Sequence, residues 1–321
     1  MIYLGKTSTE LSDNDFSELT ILFNHVYNRN ISVSTLRYKY ASPYLGYSFH
    51  GLMYSDEGKI VGALTFIPIL FQFFENTIVA GSAADLMIHE NFRKDLLSFK
   101  RLYESALEKA GSLFDFLYAV PNSNAYLYWT KMLKWRDLGK IHYFIQILNI
   151  SGIRKELRAL DPLSRLIAKA ANLLVKIDFA AEKAHAASIM KINNEDFKKY
   201  RFGKDYFGEK YNEISSNSNY AYYSLVTEAG ARTAYIVDFF PHSRKWMGQV
   251  IKSIYCREKN NIDIILYIGN NFMTPLNMLR VPQKFEPRTL NLIGKIVSDK
   301  IDNRIFNLDC WQFNLSDFDV R

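Results

Sequence analysis

The chain has 321 residues, 48% of them hydrophobic and 15% aromatic, and carries a net charge of +7. That composition fills real cores and excludes a disordered chain, while two cysteines exclude a disulfide framework and show no metal-ligand spacing. Scattered basic residues suit an acidic partner such as a phosphorylated cofactor or an anionic lipid surface, and argue against DNA.

The start, M-I-Y-L-G-K, lacks the basic-then-apolar order of a secretory signal. The longest apolar-looking run, 67–80, is broken by Gln72, Glu75 and Asn76 and is too short to cross a bilayer as a helix. A cytoplasmic protein without a transmembrane segment is the expectation.

Residues 12–27 open with capping residues and place Phe16, Leu19, Leu22, Phe23 and Val26 at helical spacing. A second short helix over V-S-T-L-R-Y-K-Y is stopped by Pro43 and Gly46. Strands are expected at 48–53 and 59–66, joined by the S-D-E-G turn, and at 71–79. Ala83–Gly111 then reads as a buried strand, a turn carrying charge of both signs, and an amphipathic helix. Leu96, Phe99, Tyr103, Ala106, Leu107 and Ala110 share one face of that helix, and Gly111 stops it. Its first turn gathers unpaired backbone N–H groups, a natural seat for a phosphate.

A strand at 113–120, a Pro-Asn turn, a helix ending near Trp135 and a strand at 141–150 follow. From 151 to 191 the composition shifts to Ala, Leu, Lys and Arg, with helices at 163–177 and 180–189. This reads as a helical linker between domains at 1–150 and 192–321, with a membrane-surface helix, and so a peripheral membrane contact, as a second reading.

The pattern then partly repeats. Tyr38-Lys39-Tyr40 is matched by Tyr200-Arg201-Phe202, and D-F-L-Y-A-V-P-N-S-N from Asp115 by D-I-I-L-Y-I-G-N-N-F from Asp263, with Asn122 and Asn270 in register. Arg232–Pro241 with the helix at 243–257 looks like a shorter Ala83–Gly111 unit, so a duplicated domain is expected. In the tail, Asp317 and Asp319 read as surface charges. No H-E-x-x-H, C-x-x-C, G-x-G-x-x-G or G-x-S-x-G is present, and no metal site is expected.

Y-K-Y at 38–40, G-K-I-V-G-A-L at 58–64, D-L-M-I-H-E-N-F-R-K at 85–94 and P-N-S-N-A-Y-L-Y-W-T-K-M-L-K-W at 121–135 stand in one order. Together they resemble the GNAT superfamily of acyl-CoA-dependent acyltransferases in its tandem form. The resemblance implies an α/β chain of the α+β type: two GNAT-like domains, each a mixed, mostly antiparallel sheet with splayed central strands flanked by helices. The N-terminal domain would hold acyl-CoA, and the C-terminal one would be degenerate.

In that family the pantetheine arm pairs with backbone opened where the fourth strand leaves the fifth. Here that implies cofactor contacts at Leu86, Met87 and Ile88, with acetyl-CoA or a longer acyl-CoA as co-substrate. The pyrophosphate loop falls on Arg93, Lys94, Asp95, Leu96, Leu97 and Ser98. Arg93 is retained, but Leu96 and Ser98 replace the family's small residues, and Asp95 adds a negative charge. The resemblance implies Asn122 as a further cofactor contact, although capping the next helix explains it at least as well.

The resemblance implies Asp85 as base and Tyr128 as the acid that protonates the leaving thiolate, with Tyr126, Trp129 and Thr130 in neighbouring registers. Tyr38 and Tyr40 would line the acceptor side, and His89 sits beside the phosphate turn. The implied reaction is N-acylation of a primary amine, for instance an amino sugar of a bacterial cell-surface precursor. Two rivals are a Fem-type transferase drawing on charged tRNA and a non-catalytic GNAT-fold binding protein.

Overall fold

The computed structural model describes residues 1–93, 95, 97–175, 188–203, 210–228, 230–270 and 274–318. The chain opens with β1 (Ile2–Thr7), α1 (Asp13–Tyr27), α2 (Val33–Tyr40), β2 (Phe49–Tyr54), β3 (Ile60–Phe73) and β4 (Asn76–Ile88). There follow α3 (Leu97–Ala110), β5 (Phe116–Ala119), α4 (Ser123–Leu127), β6 (Arg136–Ile147), α5 (Asp161–Leu174), β7 (Ile189–Lys191) and α6 (Glu195–Phe202). The remainder is β8 (Tyr211–Ser216), β9 (Asn219–Glu228), β10 (Ala231–Phe240), α7 (Arg244–Glu258), β11 (Ile264–Gly269), β12 (Leu279–Arg280), β13 (Leu290–Ile296) and β14 (Trp311–Gln312).

One expectation changes locally. The strand at 71–79 is instead a hairpin, because the chain reverses at Phe74, in the left-handed region, and Glu75. Residues 180–187 of the second linker helix lie outside the described residues. No helix among the described residues is long and apolar enough to cross a membrane.

These elements form two compact units that do not follow contiguous boundaries at 150 and 192. One contains Met1–Gly139, Ile189–Glu209 and Asn291–Leu308; the other contains Lys140–Ser188, Lys210–Leu290 and Asp309–Arg321. Strand pairing between distant residues is the reason: β13 pairs with β5, β7 with β3, and residues 142–147 of β6 with β11.

The first unit is a mixed, mostly antiparallel sheet in the order β1-β2-β3-β4-β5-β13, with β4 and β5 parallel. A capping box between Ser12 and Asp15 starts α1. On one face α1 and α2 bury Phe16, Leu19 and Leu36 against Met87; elsewhere α3 packs Phe99 and Leu102 with Phe66, Phe114 and Trp129. Close approach of α3 requires glycine on β2: a Cβ at Gly51 would lie 1.9 Å from the Leu102 carbonyl oxygen.

The second unit has the order β6-β11-β10-β9-β8, with β10 and β11 parallel, and α7 packs Val250, Ile251 and Ile254 with Ala234, Ile236 and Ile265. One device recurs in both units. Asp115, at the head of β5, donates its N–H to Val79 O (2.8 Å) and accepts the Val79 N–H on Oδ2 (3.0 Å). Asp263, at the head of β11, does the same with Arg232 at 2.7 and 3.0 Å. Each carboxylate clips a parallel neighbour strand where the ladder begins.

Candidate functional site

In the first unit the parallel ladder is short. β4 and β5 pair only from Ala80 with Phe116 to Ser82 with Tyr118, yet β4 continues to Ile88. Beyond the ladder β4 bulges: Thr65 lies opposite Ala84 but Ala63 opposite Met87, and Asp85 takes a left-handed φ of 51°. The His89 N–H bonds back to Val61 O (2.9 Å), so strand alternation turns the Leu86 and Ile88 carbonyls away from β3. Those carbonyls accept from Tyr27 Oη (3.3 Å) and Arg93 Nε (2.7 Å).

Asp85 is held from beneath. Its carboxylate accepts from Lys39 Nζ at 2.8 Å and Tyr40 Oη at 3.1 Å, and the Lys39 and Asp85 side chains are only 2% and 8% exposed. Burial, and then the Asp85 charge, push the Tyr40 phenol well above its ordinary range. This ion-paired carboxylate, its side chain largely covered, holds the bulge in place. Lys39 was the missed residue here. It shares the apolar face of α2 with Leu36 and Tyr40, and a lone cation on such a face is the signal of a buried partner.

The aromatic triplets meet each other. Tyr38 Oη donates to the Lys199 and Tyr200 carbonyls (both 3.3 Å), its ring stacks on Tyr200 at 5.6 Å, and Tyr200 Oη donates to Lys39 O at 2.6 Å. Tyr38 is thus engaged by α6, and fully buried Tyr40 offers a substrate no surface.

At the phosphate turn, Lys94 and Leu96 lie outside the described residues. Asp95 occupies the start of α3: Oδ1 accepts the Leu97 N–H (2.9 Å) and Oδ2 the Ser98 hydroxyl (3.3 Å), while Arg101 stands 3.6 Å away. Ser98 is buried and shares a 2.8 Å hydrogen bond with Tyr3 Oη. The positive end of the helix therefore already holds a carboxylate of the chain.

Beside this turn His25 Nε2 donates to Glu90 Oε2 (2.8 Å), holding Glu90 below its ordinary pKa, and the His25 and His89 rings stack at 4.7 Å. Their ligand-type atoms lie within 4.8 Å of one another. The sequence did not reveal this grouping, because His25 stands on α1, remote from the other two.

Asn122 caps α4, accepting the Ala125 N–H at 2.9 Å, and α4 runs into a single π turn at Tyr128–Met132. Within this stretch the candidates separate. The Tyr126 hydroxyl donates to Asp137, which pushes its phenol up to about 12. Trp129 is buried, and Thr130 Oγ1 back-bonds to Tyr126 O (2.9 Å). Tyr128 is 40% exposed, rests edge-on against Phe99 in the first turn of α3, and its hydroxyl has no partner among the described residues.

The second unit carries a similar opening, but filled. Its parallel ladder ends at Ile236 with Tyr267, and β10 bulges before Asp238. Residues of the C-terminal segment lie along the opening: Asn270 N–H donates to Phe313 O (3.0 Å), Phe313 N–H to Asn270 Oδ1 (2.7 Å), and Asn314 Nδ2 to Asp238 Oδ1 (2.8 Å). Asp317, expected at the surface, is buried, its Oδ2 accepting the Asn314 N–H at 2.7 Å.

A bulged fourth strand that leaves a parallel fifth strand, with a helix start at the opening, is the fold of the GCN5-related N-acetyltransferases, and the chain has this fold. Among similar solved structures is a GCN5-related N-acetyltransferase from Anabaena variabilis, at a TM-score of 0.58 and 12% identity over 92% of this chain and 73% of that one. Another is a probable N-acyltransferase from Enterococcus faecalis, at 0.54 and 12%, over 92% and 72%. Saccharomyces cerevisiae N-myristoyltransferase, solved with myristoyl-CoA, matches at 0.50 and 10%, over 93% and 80%. No family model and no curated protein matches the sequence.

Proposed function

We propose that the chain is an N-acyltransferase, moving an acyl group from acyl-CoA to a primary amine at the β4/β5 opening of the first unit. The observation that carries this reading is the contrast between that opening and its filled counterpart in the second unit. Amides of the donor's arm would take the Leu86 and Ile88 carbonyls in place of Tyr27 and Arg93, and Arg93 would turn to the phosphates. The amine attacks the thioester carbonyl, the C–S bond breaks, the thiolate takes the Tyr128 hydroxyl proton, and the amine's surplus proton passes to water, from which the Tyr128 phenolate is reprotonated. An amino sugar of a cell-surface precursor is the acceptor we favour.

Asp95 supports a second reading, in which the donor is charged tRNA and no donor phosphate sits at the start of α3. Calorimetry with acetyl-CoA and longer acyl-CoAs separates the two. The first reading expects micromolar binding that Arg93→Ala weakens by about tenfold or more. Absence of binding at millimolar acyl-CoA would overturn it, and tight, salt-sensitive binding of charged tRNA would establish the second.

A further inference from the structure

Helix α5 is mounted with its polar side inward. It is tied to its own unit by hydrogen bonds: Ser164 Oγ donates to Leu148 O (2.8 Å), Arg165 Nε to Asn149 Oδ1 (2.7 Å), and Asn172 Nδ2 to Gln146 Oε1 (3.2 Å). Asn277 Nδ2 closes the set on Asn172 Oδ1 at 2.8 Å, and the buried residues of the helix are Ala168 and Asn172. The opposite face carries Leu163, Leu166, Ile167, Leu173 and Leu174 at spacings of three, four and seven, all exposed, with Leu166 at 63% and Ile167 at 60%. Globular helices are ordinarily mounted the other way round, so an exposed stripe of this kind marks a surface that is covered in use.

Charge decides what covers it. Between 154 and 175 five cations, Arg154, Lys155, Arg158, Arg165 and Lys169, stand against two carboxylates, and one of these, Asp161, is spent on the Ser151 N–H and hydroxyl. All five cations are exposed. Two copies of this cationic rim would repel each other, whereas an anionic lipid surface complements both the rim and the net charge of +7. We infer that α5 is a membrane-surface helix, its Leu/Ile face seated among acyl chains and its basic rim on anionic headgroups.

The test is sedimentation of the full-length protein with vesicles of phosphatidylcholine, with and without about a quarter phosphatidylglycerol. The wild type is expected to bind the anionic vesicles and to weaken as salt rises. The double variant Leu166→Gln/Ile167→Gln should lose about tenfold or more in partitioning while keeping its melting temperature, since both side chains are exposed. Arg158→Gln/Lys169→Gln should weaken anionic binding and leave the weak neutral binding unchanged. Absence of anionic binding by the wild type, or equal binding by the Leu/Ile variant, would overturn the inference. So would a concentration-dependent dimer that this variant dissolves without any vesicle binding, which would assign the face to a second copy.

Discussion

Asp95→Asn isolates the charge at the start of α3. The carboxylate accepts from the Leu97 N–H and the Ser98 hydroxyl, where a phosphate would otherwise sit. Two like unit charges about 5 Å apart repel by about 1–3 kcal/mol across the range from bulk water to a partly shielded surface. The lower end applies here because Asp95 is exposed. Asparagine caps a helix about as well as aspartate, so the variant removes the repulsion and keeps the cap, changing stability by no more than about 1 kcal/mol. The expected outcome is acyl-CoA binding about fivefold tighter, read by calorimetry at low salt, with a smaller gain at high salt. Equal or weaker binding by Asp95→Asn, with the fold intact by melting, would refute the assignment of the donor's phosphates to this helix start.

Lys39→Met should cost about 3–5 kcal/mol in urea unfolding, because it leaves the Asp85 carboxylate buried without its cation, and an unchanged midpoint would refute that pairing. Burial pushes the His50 imidazole down to about 3. Its folded pKa lies below the unfolded value near 6.5, so its contribution is complete above that pH and is lost on acidification, by about 2 kcal/mol at pH 5. His50→Gln should flatten the melting profile between those pH values, and an equally steep profile would contradict the burial argument. Gly51→Ala should destabilise by about 1–3 kcal/mol or more, read as a lowered denaturation midpoint, since its Cβ would lie 1.9 Å from a backbone oxygen of α3. Tyr128→Phe should lower kcat by about a hundredfold with little change in melting temperature, because the lost hydroxyl has no partner among the described residues to leave unsatisfied; an unchanged kcat would remove Tyr128 from the mechanism.

Much of this molecule is legible one segment at a time. Ser12, Asn122 and Ser243 announce helix starts that the structure caps as expected, and Phe99, Tyr103, Ala106 and Ala110 declare the buried face of α3. The stretches D-F-L-Y from Asp115 and D-I-I-L-Y from Asp263 begin alike because Asp115 and Asp263 make the same backbone clip. Capping, periodicity and clips of this kind depend on residue types at short spacings, which a sequence displays directly. The turn at Arg93–Ser98 likewise shows by composition alone that Leu96 and Ser98 replace the usual small residues and that Asp95 adds a carboxylate beside them.

What the sequence withheld depends on partners distant along the chain. Nothing local to Asp85 reveals Lys39, and nothing local to Asp238 reveals Asn314; each pair forms only once separate segments close around one strand. The interleaving of the units has the same origin, since β13 carries no mark that its partner is β5. Amphipathicity showed that α5 has an apolar face, but not that this face points outward. Spacing along a helix is an internal property of the segment, whereas which side a neighbour covers is settled by hydrogen bonds to Leu148, Asn149 and Asn277 that only the tertiary structure brings within reach.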